Sequence, residues 1–120
     1  MRELKFRAWD KKAKRMMSGF FIGSQDGKLY GTVRVDPITI RREDGFDLMQ
    51  YTGFSDKNGK EVYEGDVVEE KERGFTGVVE FRRGSFYACD YSDKTEVLLE
   101  VCHHSSEIIG NIRENPELLK

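Results

Sequence analysis

The chain is poor in cysteine, with only Cys89 and Cys102 among 120 residues. That excludes a small exported scaffold held by disulfides and fits a reducing cytoplasm. Long apolar runs are missing, so no membrane span is expected. Met1-Arg2-Glu3-Leu4-Lys5 leads into alternating polar and apolar residues rather than the apolar core of a signal peptide. Net charge is also missing: 20 basic against 22 acidic residues leave −2. Such balance gives no global attraction to nucleic acid or to an anionic membrane, so either would need a local patch. No P-loop, dinucleotide fingerprint or nucleophile elbow occurs, and the twelve glycines are scattered as turn formers. The expectation is a soluble protein that stays in the compartment where it is made.

Aromatics and turns are what the sequence does have. Eight Phe, five Tyr and one Trp supply most of the available core area. A chain of this length buries roughly two thirds of its unfolded surface and folds without staples. It makes one domain, or two small lobes sharing a core. The organising stretch runs from Asp56 to Glu69. Asn58-Gly59 offers the positive φ angles of a two-residue reversal, and Gly65-Asp66 breaks the chain just before the β-branched Val67-Val68.

Strands are expected on both sides of that stretch. Leu4, Phe6 and Ala8 alternate with Lys5, Arg7 and Trp9, and Met16 to Ile22 follows a charged reversal at 10–15. A helix over Lys11–Met17 competes but has no apolar stripe beyond Gly19. Gln25-Asp26-Gly27 signals a hairpin into Lys28–Val35, and Ile38–Arg42 reads as a short edge strand. Glu43–Asp47 has the weakest pattern and reads as a linker. Leu48–Phe54 is apolar again. Past Val68, strands are expected at Gly77–Phe81, Phe86–Cys89, Val97–Val101 and Ile108–Ile112, with Gly110 marking a bulge or a close backbone approach. Asn115-Pro116-Glu117 opens a short helix, Asn at the cap and Pro at the first helical position. The fold class is mainly β (α+β at most), with five short strands from Val67 to Ile112 making a small barrel. Residues 1–47 form a β region packed on it, and 48–120 the barrel and its terminal helix.

Several motifs together resemble the YopX family of bacteriophages and prophages: Phe6-Arg7-Ala8-Trp9-Asp10, Gln50-Tyr51-Thr52-Gly53-Phe54, Asp56-Lys57-Asn58-Gly59, Tyr63-Glu64-Gly65-Asp66-Val67-Val68, Ile109-Gly110-Asn111-Ile112 and Asn115-Pro116-Glu117-Leu118-Leu119. The resemblance implies an SH3-like barrel in the C-terminal part, a smaller β region before it, self-association, and a place in the cytoplasm of a bacterial host. It implies no catalytic residues. The segment from Asp36 to Asp47 matches none of these motifs.

Candidate sites are few. Cys102-His103-His104 with Cys89 is the one cluster resembling a zinc set, but its ligands are consecutive, and alternation along a strand would separate them. Asp56, Glu61, Glu64 and Asp66 gather acid around the central turn, where Asp56 and Asp66 fit turn capping better than acid–base chemistry. No metal, cofactor or catalytic residue is therefore assigned, and Asn58, Gly59, Gly65 and Asp66 are given structural turn roles. Nucleic-acid contact would fall to Lys11, Lys12, Lys14 and Arg15, and to Arg82 and Arg83 beside Tyr87, a cationic and aromatic mixture suited to single strands. Arg41-Arg42 is a further basic run. The leading expectation is a non-enzymatic, self-assembling protein-interaction module, a homo-oligomer with a phage or host protein as a further partner. Trp9, Phe20, Phe21, Tyr51, Phe54 and Phe75 are its candidate interface aromatics. The alternative is a nucleic-acid-binding accessory protein.

Overall fold

The computed structural model describes residues 5–22, 29–32, 37–40, 46–92 and 94–119. The chain divides into an N-terminal unit, Met1–Tyr51, and a C-terminal unit, Thr52–Lys120.

The N-terminal unit is an antiparallel sheet. Its strands are β1 (Phe6–Asp10), β2 (Arg15–Ile22), β3 (Leu29–Thr32), β4 (Pro37–Ile40) and the first half of β5 (Phe46–Ser55), in spatial order β4-β3-β2-β1-β5. Alternation along β1 buries Ala8 completely, and its cross-strand neighbours Met17 and Leu48 close over it together with Phe6. The reversal between β1 and β2 is tied down by Asp10, whose carboxylate accepts the N–H groups of Lys12 and Ala13 at 3.0 and 3.1 Å. Lys14 closes it at φ 54°, its N–H donating to the Asp10 carbonyl at 2.7 Å. This is a turn and not a helix. The edge strand expected after Pro37 is present as β4, whereas the Gln25-Asp26-Gly27 hairpin and Arg41–Gly45 lie outside the described residues. Phe46 and Asp47, read as part of a linker, belong to β5.

In the C-terminal unit the second half of β5 neighbours β6 (Glu61–Tyr63), and the Thr52 hydroxyl donates to the Val62 carbonyl at 2.8 Å. A meander follows: β7 (Asp66–Glu70), β8 (Phe75–Arg82), β9 (Ser85–Asp90) and β10 (Thr95–Leu98). A helical turn, α1 (Leu99–Cys102), runs into a 3-10 turn at His103–Ser105 and returns the chain as β11 (Ser106–Asn111) beside β7. The order β10-β9-β8-β7-β11, with a 3-10 turn before the last strand, is that of an SH3-like barrel, here a curled half-barrel. Its core holds Val62, Val68, Val79, Phe86, Ala88, Leu99 and Cys102, with Phe54, Phe75, Val97 and Ile108 packed against them.

Two expectations change here. Val97, Leu99 and Val101 do not share one strand, because the chain turns helical after Leu98. Leu99 and Cys102, three apart, then share a buried side, and Val101 is left exposed. Of Asn58 and Gly59 only Gly59 has positive φ, 81°; its N–H bonds the Asp56 carbonyl at 3.0 Å and the Asp56 N–H bonds the Lys60 carbonyl at 2.8 Å, so a three-residue loop closed by Gly59 replaces the two-residue one. The I′-like pair sits instead at Arg83 and Gly84, φ 48° and 80°, between β8 and β9.

Gly110 lies at a break in the β7–β11 register, and a Cβ there would meet the Asn115 Oδ1 at 2.5 Å and the Leu118 side chain at 2.8 Å. It serves as both a bulge and a close approach. The terminal helix is one 3-10 turn, Pro116–Leu119, and the Asn115 side chain accepts from the Asn111 N–H rather than from the helix. Gly65 has φ 86°, and its N–H and C=O bond to Val79 and Ile112, both at 2.9 Å. Gly59→Val and Gly65→Val should each cost about 1 kcal/mol or more, since a β-branched residue is strained there. Thermal melts of the two variants, each several degrees below the parent, are the expected result; parental melts would contradict the turn geometry.

Candidate functional site

The zinc-like cluster is dispersed. Cys102 lies in the core, where the Ser106 hydroxyl bonds to its carbonyl at 2.7 Å, while Cys89 sits on β9 next to core residue Ala88 and so points to the other face. The His103 Nδ1 is 2.8 Å from the Ser55 carbonyl, and its ring lies 4.7 Å from Phe54. Among the described residues no group of three or more His, Cys, Asp or Glu is placed to hold a metal. Of the acidic residues at the central turn, the two aspartates hold backbone: Asp56 accepts three N–H groups, and Asp66 accepts the Tyr63 N–H at 2.8 Å.

Among the described residues the basic candidates for nucleic-acid contact lie in two places. Lys11 to Arg15 are exposed on the β1–β2 turn of the N-terminal unit, with Lys11 3.3 Å from Asp47. Arg82, Arg83 and Tyr87 come together at the β8–β9 hairpin of the C-terminal unit, where alternation puts Glu80, Arg82, Tyr87, Cys89 and Glu96 on the face opposite the core. Arg82 reaches Glu96 at 2.7 Å and makes an ion pair with Glu80 at 2.5 Å. Arg83 also pairs with Glu96, and its guanidinium lies 5.0 Å over the Tyr87 ring. Tyr91 donates its hydroxyl to Glu80.

The electrostatics follow from that arrangement. Arg83 first, then Arg82, hold the Glu96 carboxyl below the usual range, and Glu96 raises both guanidinium groups in return. Burial, then the bond to Glu80, pushes Tyr91 up to about 12 and the Cys89 thiol up to about 11. A thiol so placed is a poor nucleophile near neutral pH. The two arginines are thus held by carboxylates, an arrangement that needs the β9–β10 register and was not visible as Arg82-Arg83-x-x-x-Tyr87 in the sequence.

Exposed apolar surface is the other feature of this unit. Phe81 and Tyr91 are each 51 % accessible, Val101 46 %, Leu98 38 % and Ile109 37 %. Of the aromatics expected at an interface, Phe54 and Phe75 pack on the core instead, and Trp9 and Tyr51 are half-buried. The side chains of Phe20 and Phe21 lie outside the described residues.

The YopX protein family model matches residues 5–120 of the sequence. The chain belongs to the YopX family. Protein EF1440 from Enterococcus faecalis is similar in structure, with a TM-score of 0.68 and 25 % identity over 100 % of both chains. YopX from Bacillus subtilis is similar in fold, with a TM-score of 0.63 at 24 % identity, covering 97 % of this chain and 95 % of that one. No curated protein matches the sequence. YopX-family membership accounts for the mainly β architecture, and the chemistry has to be read from the residues. Among the described residues no helix is long and apolar enough to cross a membrane.

Proposed function

We propose that this YopX-family chain is a non-enzymatic, self-assembling protein-interaction module, encoded by a phage or prophage and working in the cytoplasm of a bacterial host. The observation that carries the reading is the edge of the C-terminal sheet. β10 is the last strand of that sheet, and it ends in exposed Leu98 with exposed Val101 one turn beyond. A sheet-edge strand beside exposed apolar side chains is a template for another chain, and a second copy covers it. The two cysteines are free, which suits a reducing compartment. Among the described residues the groups with perturbed titration are held in ion pairs, by backbone N–H groups or by burial, and the Cys89 thiol, bonded to Glu80, is pushed up to about 11, away from nucleophilic use near neutral pH.

The second reading, nucleic-acid binding, draws on Arg83 stacked over Tyr87. Glu96 and Glu80 already occupy both arginines, and displacing them lowers the gain from any phosphate. Light scattering after size exclusion should give the same oligomer at low and high salt, because apolar burial weakens little with ionic strength. Binding to single-stranded DNA and RNA should be weak and largely lost near physiological salt. A strict monomer with tight, salt-sensitive binding that disappears in Arg82→Ala/Arg83→Ala would reverse the two readings.

A further inference from the structure

We infer that the basic β1–β2 turn of one copy seats in an acidic and apolar groove on the C-terminal unit of another. This rests on the self-association proposed above and adds to the β10 edge a second contact surface, which no residue of β10 or α1 lines. The groove has a volume of about 760 Å³ and takes apolar lining from Phe75, Ile109 and Leu118, acidic lining from Glu69 and Asp90, and one cation, Lys71. The β7–β11 ladder sets Glu69 directly opposite Glu107, so two like charges face each other beside the groove. Their own cations are weak company: Lys71 stands 4.0 Å from Glu69 with a 75 % exposed side chain, and Lys57 stands 3.6 Å from Glu107. A cation arriving from outside relieves that repulsion.

The turn supplies such cations. Lys12, Lys14 and Arg15 are exposed, and no described carboxylate pairs with them, whereas Lys11 is held by Asp47. Asp10 already fixes the backbone of the turn through the Lys12 and Ala13 N–H groups and its own carbonyl, so little order remains to be imposed on docking. Lysine and arginine stems lay methylene groups along apolar lining while their charged ends reach the carboxylates. Made reciprocally, turn to groove and groove to turn, the contact closes a two-fold pair; repeated onward it builds a ring or a filament. Charge sets the register and the rate of encounter, and apolar burial sets the lifetime.

The experiment compares Glu69→Lys with Lys12→Glu/Lys14→Glu by light scattering across a dilution series near physiological salt. Glu69→Lys removes a like-charge pair and should melt no lower than the parent, and the lysines are exposed, so neither change threatens folding. Each variant alone should associate about tenfold or more weakly, the scale of inverting a docked charge pair. An equal mixture of the two should recover assembly, which also shows that both are folded. A parental oligomer that neither variant weakens overturns the docking inference and leaves self-association standing. A parent that is monomeric at every salt and concentration overturns both.

Discussion

Asp56→Ala should destabilise the C-terminal unit by about 3–5 kcal/mol, enough to unfold a domain of ordinary stability at modest temperature. The carboxylate is 6 % exposed and accepts three backbone N–H groups: Asn58 and Lys60 at 2.9 Å on Oδ1, and Ile108 at 3.0 Å on Oδ2. The first two shape the turn, and the third reaches a strand 52 residues further along the chain. Alanine frees the Asn58 and Lys60 N–H groups of the exposed turn and leaves the Ile108 N–H of half-buried β11 without its acceptor. Asp56→Asn should cost less, since its oxygen keeps one side of the arrangement while its amide N–H₂ faces an N–H donor on the other. The same residue gives a pH dependence. Burial by itself would raise the Asp56 carboxyl, but the Ile108, Lys60 and Asn58 N–H groups and the Lys60 charge outweigh it and hold it below its ordinary 3.8. A group lowered in the fold contributes fully above its unfolded value and loses that contribution as pH falls through the lower folded value. Urea unfolding at pH 7 and in steps below pH 4 should show this acid limb in the parent and a flatter one in Asp56→Ala. A variant as stable as the parent at pH 7 would sink the account of the central turn.

Arg73→Ala should lower the melting temperature by about 5 °C and move acid unfolding to higher pH. Glu70 has no exposed side-chain surface, and its carboxylate takes the Glu72 N–H and the Arg73 guanidinium, both at 2.7 Å. Burial would raise it; the Arg73 side chain and the Glu72 and Arg73 N–H groups prevail and keep it below its ordinary 4.5. The sign matches that of Asp56, with the contribution present above the unfolded value and lost on acidification. Removing Arg73 takes away the main lowering influence, so the loss begins at higher pH. Glu70→Leu/Arg73→Leu should recover part of the lost stability at pH 7, because an apolar pair at a buried site avoids the uncompensated charge. A double variant less stable than Arg73→Ala alone would show that the backbone bonds to Glu70, rather than its ion pair, hold the β7–β8 turn.

Local chemistry made much of the fold legible. Val67-Val68, Val78-Val79 and Phe86–Cys89 read as strands because short β-branched or aromatic runs lie between glycine turns, and β7, β8 and β9 form there. Gly110 read as a bulge, and it is one. Where two periods fit equally well, the reading failed. Val97, Leu99 and Val101 satisfy alternation, but Leu99 and Cys102 also satisfy a helical turn, and packing into the core decides for the helix. Long-range pairs were not visible at all. Glu96 meets Arg82 and Arg83 only because β10 registers Glu96 opposite Cys89, and Ser55 meets His103 across 48 residues. Phe81 alternates onto the same face as core Val79 yet stands 51 % exposed beside the hairpin turn, edge-on against Phe86, and no pattern in the sequence separates those two outcomes.

The central claim is that a second copy covers the edge of the C-terminal sheet, and hydrogen exchange at two protein concentrations tests it most directly. In a dilute sample and in one far above the association midpoint, the amides of 95–102 should differ, exchanging more slowly when concentrated, because β10 and α1 are then covered. Identical exchange of that segment at every concentration, with the mass of a single chain throughout, would contradict the claim.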